Sequence, residues 1–229
     1  MNIHSSRETF DRALKNLLDQ VLVMGSMVEQ AVLEAMRALE KRDFATARLV
    51  YDADLKINEK RYAIEHECII LIATQQPMAR DVRFLAAILE IITELERIGD
   101  YAKGICKINI LMSEEPIDAA TLLSLQEMAE QGTSMLSRAL DAFVRKDLTV
   151  ARTIPAEDDK VDELYIALYR NLIAQMTANP ASIDRGNHLL WAAHNLERMA
   201  DRVINICERI VYVSTGEMKE LDNTIGLKL

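Results

Sequence analysis

The chain repeats itself at an interval of about one hundred residues, and this repeat limits the possible folds more than any other feature. DFATAR at 43–48 returns as DLTVAR at 147–152, and LERIGDYAKGIC at 95–106 returns as LERMADRVINIC at 196–207. Asp54 falls on Asp158 and Pro77 on Pro180. Self-similarity of this kind means that one structural unit was built twice. The spacing drifts by three residues along the chain, which short gaps at helix junctions absorb.

Each unit reads as three helices. Phe10, Leu14, Leu17, Val21, Met24, Val28, Ala31, Ala35 and Ala38 recur in alternating steps of four and three, a coiled-coil-like stripe. Ser5 and Glu8 form a capping-box pattern before it. Asp43 is placed to cap a second helix running to about Thr74, and Pro77 to open a third that ends near Met112. In the second unit, Asp118 and Asp147 take the capping positions, and Pro180 or Ser182 starts the last helix. Gly216 offers that helix its stop. Pro155 should kink the fifth helix or loosen one turn of it. The expected organisation is all-α: six long helices in two similar three-helix bundles, 1–112 and 118–216. A linker at 113–117 joins them, packed end to end or side by side, and a mobile tail follows at 217–229.

Composition agrees with helices and excludes much else. Seven Gly and four Pro leave too few breakers for a turn-rich β sandwich, and aromatic residues are only 5%. The net charge of −9 argues against a nucleic-acid binder, which needs a basic face. Cys68, Cys106 and Cys207 are odd in number and each neighbours an Ile, so they read as buried thiols in a reducing compartment. The N-terminal stretch lacks the apolar core of a signal peptide, and the apolar runs at 68–73 and 84–89 are too short to span a bilayer.

Chemistry concentrates in carboxylate pairs one helical turn apart. With this composition chance supplies about two or three [DE]xxxD pairs, so the count itself carries little. Glu114/Asp118 spans Pro116 and is set aside. Position distinguishes the other three. Glu96/Asp100 and Glu197/Asp201 occupy the same place in the repeat. Asp158/Asp162 corresponds to Asp54/Asn58 on the middle helix of the first unit. Like charges at this spacing repel, and oxygen-only clusters suit hard cations such as Mg²⁺, Mn²⁺, Ca²⁺ or ferric iron. His194 could add a nitrogen in the second unit, where the first has Thr93. The competing reading is a solvated acidic face.

Other residues are less pointed. Arg80 and Arg83 sit in the first turns of the third helix and could meet a partner or an anion, although an ordinary surface ion pair near Asp81 competes. Arg48 and Arg152 recur after an Ala in both units and hint at a docking surface. Trp191, Tyr165 and Tyr169 read as core or seam residues. A ferritin-like di-metal enzyme or metal-storage protein would need Glu-x-x-His pairs, which none of the four His residues supplies. A spectrin-like spacer would use similar repeats without matched carboxylate turns.

ELERIGD at 94–100 and NLERMAD at 195–201, with PMARDVRFL at 77–85 and ARTIPAEDDKVDELY at 151–165, resemble the PhoU family of phosphate-signalling regulators. The resemblance covers about residues 5–216. It implies a cytoplasmic, homodimeric, non-enzymatic protein that restrains phosphate uptake and represses the phosphate-starvation response. Such a protein acts between the ATPase of the phosphate ABC transporter and a phosphate-sensing histidine kinase, at the inner face of the membrane through those partners. It also implies a site for iron, zinc, manganese or magnesium. Carried over by motif, Glu96, Asp100, Glu197 and Asp201 come first, then Asp158 and Asp162, then Asp54. Asn58 departs from the acidic pattern, which points to a weaker first site.

Overall fold

The computed structural model describes residues 3–112 and 116–221, with side chains from Arg7 onward. The described residues are almost wholly helical and contain no strand. The first unit comprises α1 (Ile3–Lys41), α2 (Phe44–Gln75) and α3 (Arg80–Leu111). The second comprises α4 (Ala119–Arg145), a broken fifth helix made of α5 (Leu148–Thr153) and α6 (Asp158–Ala178), and α7 (Ile183–Thr215).

Helix starts follow local chemistry. Asp43 Oδ1 accepts from the Thr46 N–H at 3.0 Å and Asp118 Oδ1 from Thr121 at 2.9 Å. Asp147 Oδ1 takes the N–H groups of both Thr149 and Val150. Each cap satisfies donors that the first helical turn leaves without partners. Pro155 converts Ile154–Glu157 to a 3₁₀ turn between α5 and α6, the loosened turn expected of it. Gly216 closes α7 at φ 78, the left-handed region open to glycine.

Four expectations need correction. Helix α1 already runs through Ser5 from Ile3, so the capping box there does not mark the start; the helix simply continues through residues that contain no breaker. Helix α3 begins at Arg80 rather than at Pro77, because Gln76 (φ 47) and Ala79 (φ 37) are spent reversing the chain between α2 and α3. Trp191 is 63% exposed and Tyr169 is exposed. Both lie one step off the buried rows of their helices: Leu189, Ala192, Ala193 and Leu196 on α7, and Val161, Leu168 and Leu172 on α6. The chain after Gly216 is not loose as far as it is described. Leu221 packs on the core and its N–H donates to Glu208 Oε1 at 3.0 Å. Residues 113–115 and 222–229, including most of the expected linker and tail, lie outside the described residues.

The two units share one hydrophobic core, side by side. The most extensive packing in the molecule joins α3 to α7, with α1 against α4 alongside. Gly104 on α3 permits that close crossing, since a Cβ there would stand 2.8 Å from Asn195 Nδ2 on α7. Phe84 of α3 stacks on Phe143 of α4 with centroids 5.0 Å apart. Such lateral sharing of a core is the opposite of an end-to-end spacer. Cys68, Cys106 and Cys207 are all buried free thiols, each pushed up to about 12 by burial.

Candidate functional site

In the first unit, α2 and α3 bring Asp54 together with Glu96 and Asp100. Asp54 is only 4% exposed, and its Oδ2 accepts from Lys103 Nζ at 2.7 Å and Asn58 Nδ2 at 3.2 Å. Its Oδ1 is buried and accepts no hydrogen bond. Burial raises the pKa of Glu96, and the Asp100 charge adds to it; burial and then the Asp54 charge raise that of Asp100. The three carboxylates therefore feel one another, with Lys103 already neutralising the deepest.

The second unit has no such lysine: the residue matching Lys103 is Ile204, and Asn58 is replaced by Asp162. Here Asp158 is buried, Glu197 and Asp201 are half-buried, and Asp162 is exposed. Burial, then the charges of Asp201 and Asp162, push Glu197 up to about 7, against the weaker pull of Arg198 and Arg202. Glu197 Oε2 is buried and accepts no hydrogen bond, with His194 Nδ1 3.3 Å away. The Tyr165 ring lies beside His194, with centroids 6.2 Å apart.

Each unit thus gathers its sequence-derived carboxylates from two helices. Among the described residues, however, no three His, Cys, Asp or Glu side chains meet as a ready-made metal cage. The donor chemistry fits a hard cation, and each unit carries a buried carboxylate oxygen without a hydrogen bond, Asp54 Oδ1 and Glu197 Oε2. In the second unit Ile204 stands where the first has Lys103, so that competing ammonium is missing there.

The arginines fall in two places. Arg48 and Arg152 are both exposed, Arg48 near the start of α2 and Arg152 in the last turn of the short α5. Arg80 and Arg83 stand at the start of α3, and neither pairs with Asp81, which binds Arg7 Nη1 at 2.6 Å instead.

Sequence reasoning passed over Glu94. This residue is 5% exposed and sits between the units. Its Oε1 takes Arg97 Nη1 at 2.6 Å, and its Oε2 takes Asn205 Nδ2 at 3.2 Å and lies 3.5 Å from Arg202 Nη1. Its α7 partners are more than one hundred residues away along the chain, and no local spacing signals that contact.

The description "PhoU domain" matches twice, at residues 21–108 and 125–210. The "Phosphate-specific transport system accessory protein PhoU" of Edwardsiella tarda is 37% identical over 220 residues, covering 95% of this chain and 88% of that protein. The Escherichia coli protein of the same description is 36% identical over 220 residues, covering 95% and 89%. The crystal structure of PhoU from Pseudomonas aeruginosa superposes with a TM-score of 0.85 at 33% identity, covering 91% of this chain and all of that one. That of the phosphate transport system regulatory protein PhoU from Streptococcus pneumoniae gives 0.86 at 34% identity, covering 92% and 99%. With two matched domains, relatives aligned over nearly the whole chain and the same helical architecture, the chain belongs to the PhoU family.

Proposed function

We propose that this protein is an accessory regulator of phosphate transport that restrains phosphate uptake and represses the phosphate-starvation response. The observation that carries the reading is correspondence along the whole chain: 95% of it aligns with relatives described as phosphate-specific transport system accessory proteins. In this reading it works by protein contacts with the transporter ATPase and the phosphate-sensing histidine kinase, as a cytoplasmic homodimer with no catalytic step of its own. The exposed, repeated Arg48 and Arg152 suit such docking. No helix of the described residues is long and apolar enough to cross a membrane, so contact with a transporter falls to such surfaces.

A hard cation is a natural companion of the acidic turns. Glu197, Asp201, Asp162 and Asp158 would hold it in the second unit, and Glu96, Asp100 and Asp54 would hold it less tightly in the first. A cation there would offset repulsion between carboxylates on neighbouring helices. Iron, manganese, magnesium and zinc all remain within this reading.

The test is a clean deletion in a strain without a second copy. Phosphate-starvation genes are expected to stay on in high phosphate, and normal repression would overturn the reading. ATP hydrolysis by the purified protein alone would overturn the non-enzymatic part. For the homodimer, light scattering of the purified protein is expected to give twice the 25.9 kDa mass of one chain, and a mass of one chain would overturn that part.

A further inference from the structure

At the seam between the units, away from the acidic turns, lies an open cleft of about 410 Å³ lined by Arg80, Arg83, Lys146, Leu148, Val213 and Ser214. Three cations and a hydroxyl from three parts of the chain face it, and no carboxylate is among its lining residues. The nearest acidic residues in sequence are engaged elsewhere. Asp81 binds Arg7, Asp147 caps α5, and Glu217 pairs with Lys219. Arg80, Arg83 and Lys146 form no ion pair with any described residue. Arg83 Nε is buried and donates to nothing. Two of these cations also stand in the first turn of a 32-residue helix that has no side-chain cap, where the helix dipole opposes positive charge and favours an anion.

The repeat shows that this convergence is specific to one end of the molecule. Arg42, the first-unit counterpart of Lys146, has the same left-handed backbone, φ 52 against 56. Arg42 is tied down by Asn109 Oδ1 and the Met112 carbonyl. In the second unit the residue matching Asn109 is Ile210, which accepts nothing. Lys146 instead lies over the Phe84 ring, its Nζ 5.0 Å from the centroid, beside Arg80 and Arg83 of the other unit.

We propose that this cleft binds a phosphoryl dianion, free or as a small phosphomonoester. The guanidinium groups and Lys146 would take the oxygens, Ser214 would donate a hydroxyl, and Leu148 and Val213 would form the apolar wall for an ester's carbon part. The volume exceeds the need of a bare ion and falls in the range of small-molecule sites. Because Arg80 and Arg83 belong to α3 while Lys146, Leu148, Val213 and Ser214 belong to the second unit, the ligand would clamp the two units together at this end. The proposal stands on the cleft alone and does not depend on the regulatory reading above.

The experiment is calorimetric titration of the purified full chain with orthophosphate and, separately, with phenyl phosphate, at fixed ionic strength against a chloride control. Saturable binding is expected, with a melting temperature that rises with ligand. Tighter binding of phenyl phosphate identifies an ester site, and equal or tighter binding of orthophosphate identifies the free ion; both support the cleft. Arg80→Gln and Lys146→Gln, both at exposed positions, are each expected to weaken binding about tenfold or more, with an unchanged circular dichroism spectrum. Arg170→Gln, at an exposed position of α6 outside the cleft, should bind like the parent. Absence of binding beyond chloride, or parental affinity in both cleft variants, overturns the proposal.

Discussion

Lys103 Nζ lies 2.7 Å from Asp54 Oδ2, while the residue that matches Lys103 in the second unit is Ile204. One difference in the repeat thus separates a turn whose buried aspartate is bound by a lysine from one in which an isoleucine takes that lysine's place. Lys103→Met should leave the buried Asp54 charge with the Asn58 amide but no lysine, costing about 2 kcal/mol in metal-free protein, less than the roughly 3–5 kcal/mol of a fully buried broken pair because Lys103 is partly solvated. The same change should raise the first unit's affinity for Mn²⁺. Denaturant unfolding and calorimetry measure the two effects, and a variant as stable as the parent without metal would show that Lys103 is not the counter-charge.

Glu197 gives a pH signature. Its folded-state pKa is raised from 4.5 to about 7, chiefly by burial and then by Asp201 and Asp162. A raised acid pKa means that the native state holds the proton more tightly than the unfolded chain. Its contribution is therefore favourable below pH 4.5, falls as pH rises from 4.5 to 7, and is a standing penalty above. Glu197→Gln removes that penalty. Without metal, the variant should melt about 3–6 °C above the parent at pH 8, and the gap should close towards pH 4.5. A gap that is the same at both pH values would contradict this assignment.

Metal binding should be unequal between the units. Added Mn²⁺ or iron is expected to raise the melting temperature, by the equivalent of about 2.7 kcal/mol at one hundred times Kd. Glu197→Ala with Asp201→Ala should remove most of that gain, and Glu96→Ala with Asp100→Ala less of it. An unmoved melting curve, together with elemental analysis free of metal, would reduce the acidic turns to solvated faces.

Glu94 tests the joint between the units. Glu94→Ala strands Arg97, Arg202 and Asn205 around a buried position and should cost about 3 kcal/mol, while Glu94→Gln keeps part of the hydrogen bonding and should cost less. Denaturant midpoints of the two variants give the comparison, and equal, near-zero losses would show that the contact carries no stability.

The sequence announced what is decided locally. Asp43, Asp118 and Asp147 are caps because their carboxylates reach donors two or three residues ahead, and Pro155 loosens its turn because its own ring forbids a hydrogen bond. The carboxylates of each candidate site were legible because the repeat placed them twice. What escaped was long-range pairing. Lys103 stands three residues from Asp100, yet its partner is Asp54 on another helix. Glu94 and Lys146 gain their meaning only when α3 meets the second unit. Trp191 and Tyr169 were placed by residue type, whereas the step along the helix decides burial.

The core that runs without a break across α3 and α7 bears on what would happen to a severed chain. A cut between α3 and α4 would remove one covalent connection and leave that buried seam intact. The two pieces, made as separate polypeptides, should find each other and rebuild the native assembly, whereas either piece alone would present its apolar seam to water and aggregate.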